Sequence, residues 1–150
     1  MKKALIIFGS TTGNTEDMAD TIYKILNEAD INTEIKNVID AVPEDLIADY
    51  DVLLLGCPAY GDDSIELQED FGEYYEQLDD IKLNEKKYAV FAPGDSSYEY
   101  FCGSVDMIGD KIEELGGELV VDGLKIDGDP ADSKYEIAQW VKSICDEINS

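Results

Sequence analysis

The stretch "KALIIFGSTTGNTEDMAD", residues 3–20, decides the fold. Its opening run, "KALIIF" (Lys3 to Phe8), is almost continuously apolar, as in a strand buried on both faces. Beyond it, Gly9 and Gly13 bracket Ser10, Thr11 and Thr12, with Asn14 and Thr15 following. Gly13 relaxes the turn and Asn14 or Thr15 begins a helix, whose stripe is Met18, Ile22, Ile25 and Ala29. In a strand–turn–helix unit of this kind, the backbone N–H groups of Thr11 to Thr15 converge at the positive end of the helix dipole. Ser10, Thr11, Thr12, Asn14 and Thr15 add hydroxyl and amide donors, and the loop carries no cation. A triphosphate loop would end in Gly-Lys-Ser/Thr, whereas "GNT" stands here. The Gly-x-Gly-x-x-Gly of a dinucleotide fold is not complete either. A charge-free nest suits one terminal monophosphate; read without a ligand, the same residues are a well-capped helix start.

The same alternation continues outward. "TEIKNV" (33–38), "DVLLLGC" (51–57), "YAVFA" (88–92) and "GELVVDGLKI" (117–126) complete a set of five strands. The second alternates as an edge strand does, while the third and fourth are apolar throughout. Helical stripes lie between them: Leu67, Phe71, Tyr74 and Leu78; Val105, Ile108, Ile112 and Leu115; Ile137, Val141, Ile144 and Ile148. Pro43 opens a shorter helix before Tyr50, and "GDP" at 128–130 leads into the last. The pattern predicts one α/β domain over 1–150: a doubly wound parallel sheet of order 2-1-3-4-5 with helices on both faces. Ligands of such sheets bind beyond the carboxyl ends of the strands, at the switch point between the first and third. That rule selects three loops: 9–15, 58–66 and 93–102.

Composition excludes several chemistries. The chain has 35 acidic residues against 11 lysines, no histidine and a formal net charge of −24. Nucleic acid and anionic membrane are not expected as partners, because phosphate binding needs cations. Without histidine there is no Ser-His-Asp or Cys-His catalysis and no imidazole metal site. Arginine is absent too, which removes the bidentate phosphate clamp and the Cys-x5-Arg loop of the small phosphatases. No metal site is expected: "DGDPAD" (127–132) lacks the later positions of a calcium loop and reads as a turn and cap. Cys57, Cys102 and Cys145 are odd in number and far apart, so neither a disulfide framework nor a zinc knuckle is expected. The reading is cytoplasmic: the first apolar run is too short for a signal peptide, and no segment approaches membrane-spanning length.

Tyr60 and Tyr98 stand in the second and third loops, in polar, glycine-rich company and off any helical stripe. Two tyrosine faces across a cleft grip a flat heterocycle, each pair worth about 0.5–1.5 kcal/mol beyond area burial. Gly61 beside Tyr60 leaves its peptide free to face either way. Taken singly, each tyrosine also reads as an exposed loop residue.

"GSTTGNTE", "GDDSIELQEDF", "GDSSYEYFCG" and "LKIDGDP" together resemble a short-chain flavodoxin of the anaerobic bacterial type, over nearly the whole chain. The resemblance implies a non-covalently bound FMN and a low-potential one-electron carrier, not an enzyme, cycling between semiquinone and hydroquinone. It implies that Ser10, Thr11, Thr12, Gly13, Asn14 and Thr15 hold the phosphate, and that Tyr60 and Tyr98 flank the isoalloxazine ring. Gly94, Asp95, Tyr100, Phe101 and Cys102 would present backbone to its pyrimidine edge, and the Gly61–Asp62 peptide would turn its carbonyl towards flavin N5. The chain departs from the family's Ser-Thr-Trp at Pro58, Ala59 and Tyr60, and Pro93 lacks a donor as well. Weaker FMN binding or a shifted potential is the expected consequence.

Around this edge Asp62, Asp63, Glu66, Glu69, Asp70, Asp95 and Glu99 would disfavour an added negative charge. One carboxylate about 10 Å away costs roughly 0.4 kcal/mol at water's dielectric. Several reach about 1–3 kcal/mol before screening, or roughly 50–130 mV for one electron. The same rim would steer the protein to redox partners with basic docking patches, oxidoreductases of hydrogenase or cytochrome type among them, with monomer as the expected state. The competing reading is a small FMN-dependent quinone or nitro reductase of the same fold. A signalling receiver domain is disfavoured, since "GS" and "CP" stand where it needs its acidic pair and phosphate-accepting aspartate.

Overall fold

The computed structural model describes residues 2–10, 13–60, 66–94 and 102–149. Strands β1 (Lys3–Phe8), β2 (Asn32–Asn37), β3 (Val52–Gly56) and β6 (Lys87–Gly94) form the body of a parallel sheet. Two two-residue strands, β4 (Ala59–Tyr60) and β5 (Glu66–Leu67), pair antiparallel as a separate ribbon. β7 (Glu118–Leu119) and β8 (Leu124–Asp127) both pair with β6 on its outer side. The helices are α1 (Asn14–Glu28), α2 (Glu69–Glu76), α3 (Gly103–Glu114) and α4 (Lys134–Asn149). The sheet order is β2-β1-β3-β6, with β7 and β8 sharing the fifth place. This is the expected 2-1-3-4-5 order.

Strand periodicity sends alternate residues into two cores. Ala4, Ile6 and Phe8 of β1, with Val52, Leu54, Ala89 and Phe91, pack under α1 and α4. Leu5 and Ile7, with Leu53, Leu55, Tyr88, Val90 and Ala92, pack under α2 and α3. The central strands are therefore buried on both faces, which explains their unbroken apolar runs. Close approach also dictates residue choice: a side-chain carbon on Gly56 would lie 2.2 Å from the Phe91 ring.

Four expectations are corrected in detail. The fifth strand is broken, because the Trp140 indole N–H donates to the Asp122 carbonyl at 2.8 Å and Gly123 packs on Val105. That pulls the middle of the run away from the ladder. The segment after Pro43 is a 3-10 turn, Pro43–Ile47, closed by Asp45 accepting from the Val42 N–H at 2.9 Å. In α1 the buried stripe is Met18, Ile22 and Leu26, and Ala29 lies exposed at the C-cap. Finally, Pro93 and Gly94 are not loop residues but the last two of β6, opposite Ile126 and Asp127. Here Pro93 sits at the strand's end, where a missing donor is tolerated.

Candidate functional site

The carboxyl ends of β1, β3 and β6 meet at one edge. Gly9 leaves β1 and donates its N–H to the Gly56 carbonyl at 2.9 Å, so the first turn starts flush against β3. Ser10 Oγ accepts from the Gly13 N–H at 3.0 Å. Gly13 then takes a left-handed conformation (φ 98°), with no atom of the described residues within 4 Å of where a side chain would stand. Asp17 N–H donates to the Gly13 carbonyl at 2.9 Å, and α1 is under way.

No side chain caps α1 among the described residues. A helix start normally has donors to satisfy, and capping hydroxyls or carboxylates usually do so. Thr15 is 1% exposed, and its Oγ1 has no hydrogen-bond partner among the described residues. A buried, unsatisfied hydroxyl costs roughly 1–3 kcal/mol, so its retention at an uncapped helix start points to a bound acceptor. A phosphate oxygen fits both features. The first-turn acids Glu16 and Asp17 are exposed, where water screens them from an anion at the helix start.

Beyond β3, Cys57 and Pro58 are buried. The Pro58 carbonyl accepts from the Gln68 N–H at 3.3 Å and from the Cys57 thiol at 3.1 Å. Pro58 thus anchors the β4–β5 ribbon, in which Tyr60 stands opposite Glu66. The described ends of the expected second loop, 59–60 and 66, are part of this ribbon. At the end of β6, the Gly94 carbonyl accepts from Gly128 N–H at 2.8 Å. Cys102 begins α3 in the left-handed region (φ 50°), with its thiol donating to the Ala92 carbonyl at 3.4 Å.

The edge thus brings together Ser10, Gly13, Asn14, Thr15, Pro58, the Ala59–Tyr60 backbone, Pro93, Gly94 and Cys102. Thr11, Thr12, Gly61, Asp62, Asp63, Asp95, Tyr98, Glu99, Tyr100 and Phe101 lie outside the described residues. Burial raises the Cys57 and Cys102 thiols from 9.0 to about 12, so neither is a thiolate near neutrality. Among the described residues no group of acidic or cysteine side chains is arranged to hold a metal ion.

Sequence reasoning missed two site residues. The described polar residues that are buried are Thr15, Thr33, Gln68 and Ser104, and all but Thr33 border this edge. Gln68 caps α2, its Oε1 accepting from the Phe71 N–H at 3.0 Å. Ser104 donates to the Cys57 carbonyl at 2.5 Å across 47 residues of chain. The only signal for Gln68 was a polar residue ahead of the acidic pair Glu69–Asp70, and Ser104 had none.

A doubly wound sheet of this order, with no side-chain cap on α1 among the described residues, has the architecture of α/β proteins that bind a mononucleotide at the switch point. The flavodoxin family model matches residues 6–140. A flavodoxin of Maridesulfovibrio salexigens is 46% identical over 99% of this chain and 100% of its own. The crystal structure of oxidised flavodoxin 1 from Bacillus cereus is 32% identical, with a TM-score of 0.89 over 97% of this chain and 98% of that one. A Fusobacterium nucleatum flavodoxin, solved bound to flavin mononucleotide, shares the fold at 20% identity and TM-score 0.83, covering 98% of this chain and 99% of that one. The chain belongs to the flavodoxin family. Flavodoxins are electron-transfer proteins that serve oxidoreductases as redox carriers; they are not enzymes. No helix among the described residues is long and apolar enough to cross a membrane.

Proposed function

We propose that the chain is a one-electron carrier working at low potential, with a single FMN held non-covalently at the carboxyl edge of the sheet. The observation that carries this reading is Thr15. Its buried hydroxyl has no partner among the described residues and stands at an uncapped helix start, where a phosphate monoester would accept from it. Ser10, Thr11, Thr12, Gly13 and Asn14 complete that seat. When bound, FMN supplies the redox chemistry, and the protein supplies orientation and electrostatics.

Tyr60 and Tyr98 would flank the ring, with Ala59 and Gly61–Asp62 beside it. Gly94, Asp95, Tyr100, Phe101 and Cys102 would border its polar edge, with Pro58 and Pro93 as framework on either side. Pro58 has no N–H, and its carbonyl accepts from the Gln68 N–H and the Cys57 thiol, which fits an anchoring role. A net charge of −24 favours encounter with basic surfaces on oxidoreductases, with the chain as a monomeric single domain in the cytoplasm. The reductase alternative is not favoured, since the family carries electrons and does not turn over substrates.

Titrating the apoprotein with FMN and with riboflavin, followed by flavin fluorescence, tests the reading. FMN should bind more tightly than riboflavin, and Thr15→Ala should narrow the gap between them. An apoprotein that takes up neither flavin overturns it.

A further inference from the structure

We infer that Ser104 is a positioning residue for the cleft that receives the flavin ring. Its hydroxyl ties the start of α3 to the exit of β3. The inference rests on the FMN reading above.

Ser104 is 0% exposed and stands in the first turn of α3, three residues after the segment 95–101 that carries Tyr98. A serine there ordinarily bonds locally, to its own helix start. This one reaches the Cys57 carbonyl at 2.5 Å. Cys57 is the last residue before Pro58–Ala59–Tyr60, and its own N–H meets the Phe91 carbonyl at 3.4 Å. Cys57 is therefore bound to β6 through its amide and to α3 through its carbonyl.

Two further contacts close the frame. The Cys102 thiol donates to the Ala92 carbonyl at 3.4 Å, and the Val105 N–H donates to the Cys102 carbonyl at 3.0 Å. The start of α3 is thus fixed to β6 by Cys102 and to the β3 exit by Ser104. In a buried setting the spacing between the β3 exit and the start of α3 follows from that short bond, because a packed interior deforms little. A site for a flat ring needs walls held at a fixed spacing, and Ser104 supplies a tie between two elements that lead into this edge.

The test compares wild-type protein with Ser104→Ala and with Ser104→Cys, which is slightly larger and keeps a weak donor. Affinities for FMN, riboflavin and inorganic phosphate are measured on each apoprotein, with the visible circular dichroism of the FMN-loaded form. A positioning role predicts that Ser104→Ala weakens FMN and riboflavin alike, by about tenfold, and alters the flavin dichroism while phosphate binding is unchanged. Ser104→Cys should recover part of both. If Ser104→Ala does not fold, the cysteine variant carries the test, with intermediate flavin affinity expected. A variant of lower melting temperature but wild-type flavin affinity and dichroism would show a purely structural role and overturn the inference. Wild-type protein that binds neither flavin would instead overturn the FMN reading, and this inference with it.

Discussion

Gly9 lies against Gln68 so closely that a side-chain carbon on the glycine would come within 2.5 Å of Gln68 Oε1 and 3.1 Å of Phe71 Cβ. That oxygen is the one that caps α2 through the Phe71 N–H. The first turn and the second helix are thus fitted to each other without a gap. Gly9→Ala should push Gln68 off its cap and destabilise the protein by about 1–3 kcal/mol, the usual penalty of overpacking plus a lost cap. Urea unfolding checks this; unchanged stability would show that Gln68 yields freely.

Thr15 gives a prediction with opposite signs in two states. In apoprotein its hydroxyl is buried without a partner among the described residues, so Thr15→Val removes a desolvated polar atom at nearly constant shape. The apoprotein should become more stable by about 1 kcal/mol, while FMN affinity falls about tenfold. Thermal unfolding without flavin and a flavin titration check the two halves.

The buried thiols impose a pH dependence. Cys57 and Cys102 are raised from 9.0 to about 12, chiefly by burial. Below pH 9 both are protonated in folded and unfolded chains alike, and neither affects the pH response. Between pH 9 and about 12 the unfolded chain sheds these protons while the folded protein keeps them. Stability should fall as pH rises, by up to about 1.4 kcal/mol per pH unit for each thiol. Tyr74, raised in the same direction by burial, adds to the slope. Denaturant unfolding across this range checks it, and Cys57→Ala should flatten the curve.

Charge predicts a salt response. The formal net charge is −24, and 11 lysines, among them those of Lys36–Asp45, Lys111–Asp79 and Lys125–Asp106, face 35 acidic residues. Self-repulsion on this scale opposes the compact state. Raising salt from about 0.01 M to about 1 M shortens the screening length from about 30 Å to about 3 Å. The melting temperature should therefore rise with sodium chloride, and a flat response would contradict the argument.

The sheet was legible because β1, β3 and β6 are apolar on both faces, which leaves their sequences little other choice. The first site loop was legible for another reason: Gly9, Gly13 and a run of hydroxyl side chains between an apolar strand and a helix fit no core pattern. What escaped were relations between distant segments. Trp140 breaks the fifth strand by bonding Asp122, and Ser104 reaches Cys57 across the fold. Neither leaves a periodic or local trace. The β4–β5 ribbon escaped because two-residue strands have no periodicity to read.

The most direct test of one-electron carriage on FMN is anaerobic reduction of the FMN-loaded protein in small steps, followed by absorbance and electron spin resonance. A one-electron carrier should give a radical signal and a long-wavelength band that build to a maximum near one electron per flavin and then disappear. Passage from yellow to colourless with no intermediate signal would contradict it.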